Sequence, residues 1–191
     1  MGPGVSEGSG LPEQLDDLVL ARRAGLGDRV AFGVIARRHG PVMYRLARRV
    51  LLDDGDAEEA VQDALLAAWR HLADFRGAAA LRSWLLRLTL NKAHNVRRKR
   101  RPVPLEADQH LAQTATGDDP AHGIIENELV AALDDALAGL PEPQRVAWLL
   151  REVDELSYDE IAEIMHTSRD VVRGLLHRAR RRLAERLAAW R

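Results

Sequence analysis

From Leu15 onward the apolar residues of this chain return every three or four positions, and no stretch alternates at the two-residue period of a strand. That regularity restricts the chain to helices packed on helices. Composition agrees, because Ala, Leu and Arg dominate the 191 residues, 46% are apolar and only 4% are aromatic. One stretch breaks the pattern. Pro102, Pro104, Gly117, Pro120 and Gly123 punctuate a segment of weak apolar period, longer than the loops inside compact domains. It reads as a flexible linker. The expected fold is therefore all-α, with two small helical domains at 15–101 and 124–191, a 102–123 linker, and a disordered Gly-, Ser- and Pro-rich tail at 1–14.

Within the first domain, Gly40-Pro41 is expected to separate two helices. Asp56 is expected to cap the next one, with Glu59 three residues on as its capping-box partner. Ala57, Ala60, Val61, Ala64, Leu65, Ala68, Trp69 and Leu72 give that helix one apolar face, so Glu58, Glu59, Gln62 and Asp63 point outward. Phe75 to Ala80 (FRGAAA) interrupts the period, and Leu81 to Val96 resumes it. The second domain reads as Ile124 to Leu140, then Pro141 to about Val153, then two short helices around the polar step HTSR. Ile161, Ala162, Ile164 and Met165 face inward on the first of these, and Thr167 or Ser168 caps the second. Val171, Val172, Leu176, Ala179 and Leu183 form its expected buried stripe, leaving Arg169, Arg173, Gly174, His177, Arg178, Arg181 and Arg182 outward or flanking.

The net charge of −1 conceals segregation. From Arg87 to Arg101 every charged residue is a cation, and from Arg169 to Arg191 arginines face only Asp170 and Glu185. Pro102 to Glu160 is acidic, with Arg145 and Arg151 its only bases, and Asp53 to Asp63 forms a separate acidic patch. Two basic footprints and one acidic face suit two anionic contacts and one basic protein partner. The chain has no cysteine, its seven histidines form no ligand pair, and no phosphate loop or nucleophile elbow is present. Catalysis, metals and cofactors are not expected. Neither a signal peptide nor a membrane span is legible, so a soluble cytoplasmic protein is the expectation.

Read alone, LSYDEIAEIMHTSRDVVRGLLHRARRRL fits a DNA-reading helix-turn-helix or a plain antiparallel helix pair with a solvated face. The run LRLTLNKAHNVRRKRR fits a phosphate-binding surface, a nuclear-localisation cluster or a basic helix end. Trp84 and Phe75 fit either base-stacking aromatics or core.

In order and together, these parts resemble the extracytoplasmic-function sigma factors of bacterial RNA polymerase. The resemblance spans about Asp16 to Leu187 and is carried by DAEEAVQDALLAAWRHL followed by FRG, a tryptophan helix and a basic run, then by ALAGLPEPQRVAWLLREVDELSYDEIAEIMHTSRDVVRGLLHRARRRL. It implies a promoter-recognition subunit that helps melt the minus-ten region and is not an enzyme. It places Glu58, Glu59, Gln62 and Asp63 on the β′ clamp helices of core polymerase, with the β flap as a further core contact. It gives Phe75, Arg76, Gly77, Trp84, Asn91, Lys92, Asn95, Arg97 and Arg98 to the minus-ten element. Ser168, Arg169, Arg173, Gly174, His177 and Arg178 go to the minus-thirty-five major groove. Promoter DNA, core polymerase and an anti-sigma factor are the implied partners, with the linker threading toward the RNA exit path.

Several positions depart from the family pattern. Glu155 and His166 stand where glycine is usual, Asn95 replaces a frequent aspartate, and Gly174-Leu175 replaces a polar residue and an arginine. The last pair implies altered or weaker minus-thirty-five recognition. A plain helix-turn-helix regulator, or an adaptor with the sigma fold but no promoter reading, are the alternatives.

Overall fold

The computed structural model describes residues 12–77, 80–100 and 124–188. The 102–123 linker and most of the 1–14 tail lie outside the described residues, as does Trp190. Eight α-helices form among those described: α1 Asp17–Gly25, α2 Arg29–Leu51, α3 Asp54–His71, α4 Leu81–Arg100, α5 Ile124–Ala138, α6 Glu142–Trp148, α7 Tyr158–Ile164 and α8 Arg169–Arg186. A π-helical turn, Leu149–Val153, extends α6. No strand occurs among the described residues.

Asp28 starts α2 by accepting hydrogen bonds from the backbone N–H of Val30 (2.9 Å) and Ala31 (3.0 Å), which holds its carboxyl below the usual range. The helix then runs unbroken through Gly40-Pro41, contrary to the expected break. Pro41 removes one backbone donor, but Val42, Met43, Leu46 and Ala47 are buried directly after it and hold both turns on one core. The cap of α3 is also not the expected one. Asp53 accepts from the backbone N–H of Asp56 at 2.8 Å, so the helix begins at Asp54. Asp56 is instead buried and ion-paired to Arg100, with burial pushing its carboxyl up.

α1 to α4 form the first unit around Leu20, Ile35, Met43, Leu72 and Leu85, all essentially inaccessible. Phe32 and Trp69 meet edge-to-face at its margin, 5.1 Å apart. In the second unit, α5, α6 and α8 close over Leu137, Leu140, Leu149, Ala179 and Leu183. The two units then share a third apolar cluster. Leu46, Val50, Leu86 and Leu90 from the first pack in one continuous core with Leu150, Ile161, Leu175 and Leu176 from the second. Both expected helical units are present, and they are docked on each other.

Arg145 spans this junction with 5% exposure. Its Nη1 donates to the carbonyls of Ala138 (2.9 Å), the last residue of α5, and Leu140 (3.1 Å) just beyond it, and its Nη2 to the carbonyl of Val50 (3.2 Å) at the end of α2. Carbonyls left over at two helix C-termini thus share one cation, which suits the negative ends of both dipoles. Burial, then the nearby Arg97 charge, pull this guanidinium below its ordinary pKa.

Glu155 and His166, the two residues standing where the family pattern has glycine, adopt left-handed φ of 58° and 50°. A side chain at such an angle crowds its own carbonyl, at a cost of about 1–2 kcal/mol. Glu155→Gly and His166→Gly are each expected to stabilise the fold by about 0.5–1 kcal/mol, after glycine's extra unfolded-state entropy is subtracted. Urea denaturation of each single variant, read by far-ultraviolet circular dichroism, measures this.

Candidate nucleic-acid interface

Three surfaces carry the candidate residues. The helix-turn-helix begins at a complete capping box: the Ser157 Oγ accepts from the Glu160 N–H (3.2 Å) while Glu160 Oε2 accepts from the Ser157 N–H (2.9 Å). That N–H is the main reason the Glu160 carboxyl sits below its ordinary range. Between the two expected caps of the second helix, Ser168 is the one used, its Oγ accepting from the Val171 N–H at 3.3 Å. At 18 residues, α8 is about 27 Å long.

Along α8, Arg169, Arg173, His177, Arg178, Arg181 and Arg182 are exposed and Ser168 lies at their head. Asp170 and Asp159 orient the first two arginines, at 2.8 Å from Arg173 and 3.6 Å from Arg169. This is a solvent-facing cationic ridge of a width that a major groove admits. Two positions differ from expectation. Val171, assigned to the buried stripe, is 46% exposed. Leu175 is only 8% exposed and belongs to the shared core, so it completes the stripe with Val172, Leu176, Ala179 and Leu183. Of the unusual pair, only Gly174 approaches the outer face, where a Cβ would stand 3.2 Å from Arg178 Nη1.

The second surface is α4, and its basic run is less free than its sequence suggests. Arg100 is paired with Asp56, Lys99 lies 3.7 Å from Glu59, and Arg98 donates to Asn95 Oδ1 at 3.1 Å. Arg97 is ion-paired with Glu142 of α6, whose other carboxylate oxygen takes a 2.7 Å hydrogen bond from His94 Nε2. Burial, then the neighbouring Arg97 charge, hold the His94 imidazole below its ordinary pKa. Helical spacing therefore splits the expected minus-ten set. Asn91, Asn95 and Arg98, at i, i+4 and i+7, share one stripe, and Arg97 lies on another that faces the second unit. Lys92 is half-buried.

Phe75 and Trp84 do not stand out into solvent. Their rings pack on each other at 5.3 Å, tilted by 47°, against the core of the first unit. Arg76 and Gly77 are exposed. Gly77 has φ of 72°, and a Cβ there would lie 2.9 Å from Leu18 Cδ1, so the turn requires glycine. Ala78 and Ala79 lie outside the described residues.

The third surface is the outer face of α3. Glu58, Glu59 and Gln62 are exposed and Asp63 is half-buried. Leu66 completes the stripe with 54% exposure. Sequence reasoning missed it, although i, i+4, i+8 spacing from Glu58 through Gln62 reaches it.

One unit thus presents an acidic stripe with an exposed apolar residue, and the other a cationic ridge along one helix. Comparison with known proteins identifies the class. A family model described as Sigma-70 region 2 matches residues 35–103, and one described as Sigma-70, region 4 matches 131–183. The ECF RNA polymerase sigma-E factor of Escherichia coli K12 is 35% identical over 179 residues, 89% of this chain and 93% of that protein. The RNA polymerase sigma-H factor of Pseudomonas aeruginosa is 32% identical over 176 residues, 87% and 91% respectively. CnrH, solved in complex with the cytosolic domain of CnrY, superposes with a TM-score of 0.67 at 29% identity, covering 91% of this chain and 97% of that one. The sigma factor RpoE of Bartonella quintana, solved with the anti-sigma factor NepR, gives 0.64 at 25% identity over 84% and 98%. The chain belongs to the extracytoplasmic-function family of RNA polymerase sigma factors. It is a transcription initiation factor.

Because Leu175 is core rather than groove surface, Leu175→Ala is expected to cost about 2–4 kcal/mol, as for other buried leucines. A solvent-facing side chain would move stability by less than about 0.5 kcal/mol. Chemical denaturation of the variant distinguishes the two.

Proposed function

We propose that the three surfaces divide promoter recognition among them. The acidic stripe of α3, Glu58, Glu59, Gln62 and Asp63 around the exposed Leu66, docks on the clamp helices of core polymerase. The pattern suits a basic, partly apolar partner: an apolar centre supplies affinity, and the surrounding carboxylates supply orientation and on-rate. Asn91, Asn95 and Arg98 track the upstream minus-ten DNA, and Lys92 flanks them. The Phe75–Trp84 pair walls the turn bearing Arg76 and Gly77, beside which an unstacked base is held. On this reading the aromatic pair shapes the pocket from beneath. Trapping unstacked bases favours melting without nucleotide hydrolysis, so the protein works by binding and has no catalytic residues of its own.

Ser168, Arg169, Arg173, Gly174, His177 and Arg178 read the minus-thirty-five groove. The observation carrying this assignment is that the cations of α8 point to solvent while Leu175 points inward. Substituting leucine for the family's frequent arginine therefore removes one cation and leaves the rest of the ridge in place. The expected consequence is a weakened or shifted minus-thirty-five preference, which favours a promoter reader over a DNA-blind adaptor.

The protein acts in the cytoplasm, where polymerase and promoter are. No helix of the described residues is long and apolar enough to cross a membrane. An anti-sigma factor is its expected restraint, since CnrH and the Bartonella protein were each solved with a bound protein partner and resemble this chain across both units.

Two measurements test the division of labour. Alanine at Glu59, Gln62 and Asp63 together, or Leu66→Asp alone, is expected to weaken core polymerase binding at least about tenfold with melting behaviour unchanged. Unchanged affinity would remove α3 from the polymerase interface. Arg173→Ala is expected to weaken promoter DNA binding and reduce the log–log salt slope by about one, in titrations of the polymerase-bound factor.

A further inference from the structure

Arg145 apart, whose Nη2 donates to the Val50 carbonyl, the polar side-chain contacts between the two units run in one direction. The second unit presents carboxylates and the first presents cations or donors. Glu142 of α6 takes Arg97 and His94 of α4. Asp154, only 5% exposed, takes Arg82 Nη2 at 2.6 Å, and its backbone carbonyl takes Arg82 Nη1 at 3.0 Å. Glu160 accepts from Ser83 Oγ at 3.1 Å, and Asp134 lies 3.3 Å from Arg49. Three of these acceptors thus occupy one side of α4 from Arg82 to Arg97, a span of about 22 Å. The stripe carrying Asn91, Asn95 and Arg98 adjoins that side.

Glu142 is the clearest case. Its side chain retains 13% exposure, and its two oxygens are divided between a guanidinium and an imidazole three residues apart on one helix. Two anionic oxygens bridging neighbouring donors is how a phosphate would be held at the same place. We propose that the second unit acts as an internal phosphate mimic toward α4, Glu142 above all, so that docking of the units and binding of a nucleic-acid strand along α4 exclude one another. This inference rests on the assignment of α4 to the minus-ten strand. Closure keeps the free protein from binding DNA through α4, and a strand that takes Arg97 and His94 releases the second unit.

The absence of cysteine makes the test direct. Ala73 and Ala184 are exposed, one on each unit, so the A73C/A184C full-length chain accepts a fluorescent donor–acceptor pair. A single-stranded oligodeoxynucleotide is titrated while energy transfer reports separation and anisotropy of the oligonucleotide reports binding. Transfer is expected to fall as the strand binds. Glu142→Gln, which keeps the shape and removes the charge, is expected to lower the midpoint of both signals at least about threefold. Asp135→Asn, which removes an exposed α5 charge that takes no part in these pairs, should leave the midpoints unchanged.

Binding without a fall in transfer overturns the proposal, as does a Glu142→Gln midpoint equal to that of the parent or of Asp135→Asn. Arg98→Ala separates the two levels of the argument. If it binds the strand as tightly as the parent, the assignment of α4 to DNA fails and the competition with it. If it weakens binding while Glu142→Gln changes nothing, the competition alone fails.

Discussion

The two units are joined through one apolar seam, running from Val42, Leu46 and Val50 of α2 through Leu86 and Leu90 of α4 to Leu150, Ile161 and Leu176 of the second unit. A unit as short as the second has too little interior of its own, because small domains bury a smaller share of their surface. Its private cluster is a handful of residues under α5 and α8. Joining the larger core supplies the missing burial. It also explains Arg145, which satisfies carbonyls at helix ends that the seam would otherwise close off from water.

That seam determines which charged groups remain available. Carboxylates bordering it meet cations across it, so Arg82, Arg97 and His94 are engaged within the protein. Asp154 shows the energetic balance: burial pushes its carboxyl above the ordinary range, and Arg82 opposes that shift. What stays in water is the cationic ridge of α8 and the acidic stripe of α3, on different units. The acidic and cationic surfaces are thus kept apart by the same packing that holds the units together.

Much of this was legible in the sequence. The apolar period located the helices, the polar step HTSR located the turn between α7 and α8, and the alternation of acidic and basic blocks separated the surfaces. The errors share a cause. Asp56 looked like a cap because capping is a local rule, but three neighbouring aspartates satisfy that rule and only packing against Arg100 selects among them. Gly40-Pro41 looked like a stop, yet buried side chains beyond it outweigh one lost backbone hydrogen bond. Val171 and Leu175 were transposed because neighbouring positions on a helix lie within one turn of either face. Which face is buried depends on what lies opposite.

By itself the sequence determined the all-helical class, the two units, the cap at Ser168 as one of two candidates, and the charge of each surface. These follow from residue type at fixed spacing, and spacing is local. The seam between the units, the burial of Leu175, the neutralisation of Arg97 by Glu142 and the exposure of Leu66 were decided only in the folded chain. Each depends on residues 40 or more positions apart, or on the absence of a neighbour above one helix face. No periodicity within a single helix can record that.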